Sequence, residues 1–101
     1  MLLDQLEHIA HRYKELNRLL SDPAITSDHE KLRNYGKEYH ELTPVITQYQ
    51  VYKKVLDDFK SAREVLVEAE TDAELRELAR DELDELEENR NRLEKGLYTL
   101  L

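Results

Sequence analysis

The chain has no cysteine and no tryptophan, one phenylalanine, two glycines and two prolines among its 101 residues. Each scarcity excludes something. Without cysteine there is no disulfide, no thiol chemistry and no thiolate zinc site, so zinc would have to be held by histidine and carboxylates. Gly36 and Gly96 stand alone, which rules out a glycine-rich phosphate loop. No apolar run approaches the roughly 18 residues of a membrane span. The opening MLLDQLEHIAHRYK has neither the basic start nor the apolar core of a secretory signal. A soluble, cytoplasmic protein that makes no membrane contact is expected.

What is present is 40% hydrophobic and 38% charged. Leucine, glutamate, lysine and arginine dominate, the mixture of long amphipathic helices. Leu2, Leu6, Ile9, Tyr13, Leu16 and Leu20 recur at alternating steps of four and three, one apolar stripe on a first helix. SDPAITSD, residues 21–28, breaks the stripe as a loop. Ser27 with Glu30 then reads as a capping box opening a second helix. Its apolar positions are Leu32, Tyr35, Tyr39, Leu42, Ile46, Tyr49, Tyr52 or Lys53, Leu56, Phe59, Ala62 or Arg63, Leu66 and Ala69. Thr43-Pro44 interrupts it: proline pushes the residue before it out of the α region and itself suits a first turn. The apolar phase survives this point, which favours a kink over two helices end to end. Thr71 with Glu74 reads as a second capping box. The closing helix would turn Leu75, Leu78, Ala79, Leu83, Leu86, Leu93, Leu97 and Leu100 inward.

At 1.5 Å per residue the three helices would be roughly 28, 60 and 45 Å long. The reading is therefore all-α: an elongated antiparallel three-helix bundle with coiled-coil-like packing, its long second helix kinked near Pro44. The helices would overlap near residues 40–46, making Leu42 and Ile46 the centre of the packing.

Candidate sites are few. His8 and His11 stand three apart among Asp4, Glu7 and Glu15, but two histidines are half a structural zinc site, and both lie off the apolar stripe. They read as surface residues. Tyr35, Tyr39, Tyr49 and Tyr52 fall on the stripe of the second helix, so they read as core, with hydroxyls reaching its edge, and not as a base-stacking platform. Carboxylates are too numerous and too exposed for any pair to be singled out for acid–base work. No catalytic residue, metal site or cofactor site is assigned.

The formal net charge is −8, and it is concentrated. From Glu68 to Glu88 there are eleven acidic residues and two basic ones, a net of −9 that leaves the rest of the chain at +1. Such an end repels phosphates, so it should not bind nucleic acid directly. Glu77, Asp81, Asp84 and Glu88 follow steps of four, three and four on the side away from the leucines. This face is either simply solvated or a docking face for a basic partner.

The order LSDP, SD, EKLRNYGKEYHELTPVITQYQVYK, LVEAETDAELRELARDELDELE, LEK and LYTLL resembles the N-terminal domain of bacterial class I peptide chain release factors. Leu20-Ser21-Asp22-Pro23 is similar to the first loop of that domain. Glu38-Tyr39 and Leu42 are similar to its second helix, and Asp72, Leu75, Ala79 and Glu82-Leu83 to its third. The absence of tryptophan from the first loop resembles the UAA/UAG-reading branch and not the UGA-reading one. Gly96 departs from the helix former usual there. The resemblance implies translation termination: stop-codon-dependent release of the nascent peptide on the ribosome. It also implies that residues 1–101 are one domain, without the decoding and catalytic ones. The Gly-Gly-Gln tripeptide of the hydrolytic domain is absent, and Pro23 and Pro44 are each followed two residues on by isoleucine, not by the threonine of a codon-reading loop. In the family this domain sits near the ribosomal stalk base and bears on the recycling GTPase. The contrasting expectation is a free-standing helical scaffold or co-chaperone that self-associates by its apolar stripes.

Overall fold

The computed structural model describes residues 1–101 and builds helices and no strand. They are α1 (Leu2–Leu19), α2 (Pro23–Thr26), α3 (His29–Glu68) and α4 (Ala73–Leu100). The three long helices are those the apolar spacing predicts, and the all-α reading holds. Two compact units divide the chain, Met1–Tyr49 and Gln50–Leu101, and the division falls inside α3.

In the first unit α1 lays its stripe against the first half of α3. Leu6 and Leu16 are wholly buried, and Leu2, Ile9, Tyr13 and Leu20 are half-buried around them. Burial of one leucine contributes about 1.5–3 kcal/mol, so two sealed leucines are a large part of what holds α1 down. The Tyr13 and Tyr39 rings stack, with centroids 4.4 Å apart and planes 11° apart. Thr43 Oγ1 donates to the Tyr39 carbonyl at 2.8 Å, and with that proton committed the Tyr13 hydroxyl donates to Thr43 Oγ1 at 3.1 Å. Beside the stack, the Arg12 guanidinium makes two bonds to the Glu38 carboxylate, Nε to Oε2 and Nη2 to Oε1, the latter at 3.0 Å.

The segment 21–28 is not a plain loop. Asp22 accepts from the Ala24 N–H at 3.0 Å and Pro23 occupies the first helical position, which together nucleate the single turn of α2. This turn also moves the start of α3. Ser27 closes α2 in helical conformation (φ −83°, ψ −8°), whereas an N-cap needs extended backbone. Asp28 takes the role instead, its Oδ1 accepting from the N–H groups of Glu30 and Lys31, both at 3.2 Å. The second expected capping box shifts by the same single residue. Asp72, extended at φ −108° and ψ 100°, accepts from the Leu75 N–H at 3.1 Å, and Thr71 does not cap. In both places an aspartate beside the expected Ser or Thr brings a full negative charge to the positive end of the helix dipole.

At Pro44 the chain does not divide into two helices: α3 is helical from His29 to Glu68, and Thr43, expected to leave the α region, stays helical with it. Proline leaves the His40 carbonyl without its partner. Both Pro44 and His40 are exposed, so water can satisfy that group. Thr43 and Thr47 bond back to the carbonyls four residues earlier, at 2.8 and 3.0 Å, on either side of it.

In the second unit the rest of α3 and α4 form an antiparallel hairpin closed by residues 69–72. Val55, Phe59, Ala62 and Leu86 form its core, with Leu83 and Leu93 packed against it. Buried alanines, Ala62, Ala69 and Ala79, leave room for close approach of the two backbones. Of the alternatives at two positions, Tyr52 and Ala62 face inward while Lys53 and Arg63 are exposed. Elsewhere the expected inward set needs correction. Val45 and Val55 are buried, and Ile46 and Leu56 next to them only half-buried. Leu42 is also half-buried, so the deepest packing lies at Leu6, Leu16 and Leu97. Leu75, Leu78 and Leu100 are 42%, 65% and 41% exposed. Leu78 and Ala79 are neighbours about 100° apart around the helix, so only one can point at α3, and Ala79 does. Leu75 lies in the first turn of α4 and Leu100 at its last residue, where there is little to cover them.

Candidate functional site

The expected acidic face is built by α4. Asp72 fixes where the helix starts, and Ala79, Leu86 and Leu97 fix its rotation by turning to the core. Helical arithmetic then places Glu77, Asp81, Asp84 and Glu88 on the opposite side, and all four are exposed. None of them makes an ion pair or a side-chain hydrogen bond. Of the basic residues nearest in sequence, Arg76 donates to the Glu70 carbonyl at 3.4 Å, Arg90 reaches Glu87 at 3.8 Å, and Arg80 is exposed beside Asp81 without pairing to it. The helix dipole favours acids only in the first turn, which covers Glu74 and none of these four. Like-charge pairs one turn apart, Glu77 with Asp81 and Asp84 with Glu88, cost about 0.2–0.5 kcal/mol each. The face is thus a slightly destabilising, fully presented row of carboxylates. Chemically it can attract and orient cationic groups.

His8 and His11 are exposed and line a shallow groove of about 490 Å³ with Arg12, Glu15, Glu38 and Leu42. No three His, Asp or Glu side chains converge as a metal-holding set. Tyr49 and Tyr52 are core residues, and Tyr35 and Tyr39 are half-buried, so no row of open rings is presented. The Tyr52 hydroxyl donates to Glu94 Oε1 at 2.8 Å, and burial, with that hydrogen bond second, pushes its pKa up to about 12. The hydrogen bonds from Arg12 hold the Glu38 carboxyl below its usual range.

Two arrangements escaped the sequence reading. One is the Arg12–Glu38 pair, which joins two helices and leaves no local signature. The other surrounds Phe59, whose ring carries the guanidinium of Arg63 at 4.8 Å and that of Arg90 at 4.9 Å. Half of this was visible, since Phe59 and Arg63 are four apart on one helix. Arg90 comes from α4 and needed the fold.

A family model described as the PCRF domain matches residues 9–101. The chain is 43% identical over 100 residues to peptide chain release factor 1 of Bacillus thuringiensis subsp. konkukian, covering 99% of this chain and 28% of that protein. It is 43% identical over 97 residues to the protein of the same name from Desulforudis audaxviator, covering 96% and 27%. With the one from Geobacter sulfurreducens the identity is 38% over 100 residues, covering 99% and 27%. The chain thus spans little more than a quarter of the length of these relatives. No solved structure matches it. With the family model reaching across both units, from α1 to the end of α4, the chain belongs to the PCRF-domain family.

Proposed function

We propose that this chain is the N-terminal, non-catalytic domain of a UAA/UAG-reading peptide chain release factor, and that it acts in the cytoplasm during translation termination as an interaction module. The observation that carries the proposal is the match along nearly the whole chain to proteins named peptide chain release factor 1. The absence of a Gly-Gly-Gln tripeptide supports a supporting role and not hydrolysis. The partners are the ribosome near its stalk base and the GTPase that recycles the factor. Glu77, Asp81, Asp84 and Glu88 form the docking face, which meets a basic surface and not nucleic acid. Long-range attraction between opposite charges raises encounter rates more than it raises affinity, and salt screens it.

The test is peptide release from ribosomes stalled at a UAA codon. The chain alone should release no peptide, and added in excess to a complete release factor it should slow release by occupying that factor's docking site. Stop-codon-dependent hydrolysis by the chain alone would overturn the non-catalytic assignment. Absence of competition at low salt would overturn the docking role.

A further inference from the structure

On the far side of α4 from the acidic row lies a surface of the opposite character. Arg90 follows Glu88 by two residues, which places it roughly 200° around the helix. There, α3 and α4 of the second unit border an open groove of about 410 Å³. Its apolar lining is Leu56, the Phe59 ring and Val67, the last 75% exposed. Lys60, Arg63 and Arg90 surround that lining.

The state of these cations is informative. The chain has 23 acidic and 15 basic residues, so an exposed cation has carboxylates to choose from. Yet Lys60 and Arg63 make no ion pair, although Glu64 and Glu68 line the same groove. Arg63 lies over Phe59 instead, and Arg90, which also reaches Glu87 at 3.8 Å, lies over the same ring. A guanidinium held against a ring face keeps its in-plane N–H donors available and loses little further freedom on binding a carboxylate through two bonds.

We infer that this groove docks an acidic protein segment that carries an apolar anchor side chain. The carboxylates answer Arg63, Arg90 and Lys60, and the anchor covers Leu56 and Val67. Nucleic acid fits less well. Its continuous backbone charge would have to run past Glu64 and Glu68 into the run of net −9 that begins at Glu68. A short segment with a few carboxylates avoids that repulsion. The inference goes beyond the proposed docking of a basic partner, since it concerns a different face and the opposite charge.

The test uses the 101-residue chain and a fluorescein-labelled helical peptide in which leucines on one stripe are flanked by glutamates, read by anisotropy. Saturable binding that weakens with added salt is expected. The double variant Lys60→Glu, Arg63→Glu changes two exposed residues and should weaken binding by about tenfold or more, as reversal of contacting charges does. Val67→Ser, neutral and exposed, should weaken it about threefold through lost apolar contact. Glu64→Gln with Glu68→Gln should tighten it. The Gln variant of the acidic row should bind at least as well as wild type, which separates this result from the fate of the proposed function. Circular dichroism checks each fold, and Val67→Ser carries the test if the charge reversal disturbs helicity. No peptide binding, equal binding by wild type and variants, or preference for a labelled oligouridylate would overturn the inference. So would self-association in sedimentation velocity that Arg63→Glu abolishes, because the occupant would then be a second copy of the chain.

Discussion

The two units solve the same problem, two helices packed along one another, in different ways. Met1–Tyr49 carries a net charge of −2 and all four histidines; Gln50–Leu101 carries −6 and the only phenylalanine. In the first unit, polar tips tie α1 to α3: the stacked Tyr13–Tyr39 rings, the Tyr13–Thr43 bond and the Arg12–Glu38 pair. In the second, the join is mostly apolar, Val55, Phe59 and Ala62 against Leu86. The unpaired charge there is turned outward, carboxylates on one face of α4 and Lys60 and Arg63 at the Phe59 groove. Charged groups that pair with each other, as Arg12 does with Glu38, are spent on the fold; those left without partners on an apolar scaffold are available to something else.

The largest effects should come from the sealed leucines, and they test whether both units rest on burial. Leu16→Ala in the first unit and Leu97→Ala in the second should each cost about 2–5 kcal/mol in urea unfolding. Leu78→Ala, at a residue 65% exposed, should cost a few tenths at most. A small effect of Leu16→Ala beside a large one of Leu97→Ala would mean that the first unit is held chiefly by its polar contacts, contrary to the burial.

Helix starts give the next effect. Asp28→Ala and Asp72→Ala should each lower stability by about 1 kcal/mol, and Ser27→Ala and Thr71→Ala by much less. The opposite order would restore the Ser/Thr capping register that the structure displaces.

Tyr52 yields a smaller effect, visible only in alkali, that sets the buried hydroxyl of the second unit against the half-buried ones of the first. Its pKa rises from 10.0 to about 12 in the fold, so the folded state holds its proton more tightly than the unfolded chain does. That contribution is complete below pH 10 and is lost as pH rises through about 12. Tyr52→Phe should be less stable at neutral pH, having lost the bond to Glu94, and should show a flatter decline in melting temperature over that range. Parallel declines for wild type and variant would remove Tyr52 from the account.

Much of this was legible before the fold was known, because amphipathic spacing and chain breakers act locally. The Leu2-to-Leu20 stripe, the break at residues 21–28 and the turn near Glu70 all follow from it. The acidic row was legible for the same reason, since one helix and its apolar side fix where the other side points. The losses came where two neighbouring residues competed for one position. Ile46 and Leu56 were favoured over Val45 and Val55, and Ser27 and Thr71 over Asp28 and Asp72. Backbone rotation decides such contests by a single step, and composition does not carry it. At Pro44 the surviving apolar phase favoured one kinked helix over two, and α3 does run on through it; proline costs about 3 kcal/mol in a helix interior, and continuous packing on both sides of it outweighs that cost. The Phe59 groove needed Arg90 from another helix, and no spacing rule spans that separation.

We propose that unpaired charge on the second unit serves binding. The association rate of the chain with ribosomes, measured across ionic strength, tests it most directly. Wild type is compared with the variant in which Glu77, Asp81, Asp84 and Glu88 are all glutamine. Folding should be unchanged or slightly firmer in the variant, because two repulsions of about 0.2–0.5 kcal/mol are relieved. Wild type should associate faster at low salt, with the two rates converging as salt screens the attraction. Superimposable rates at low salt would contradict it and leave the acidic row as a solvated helix face.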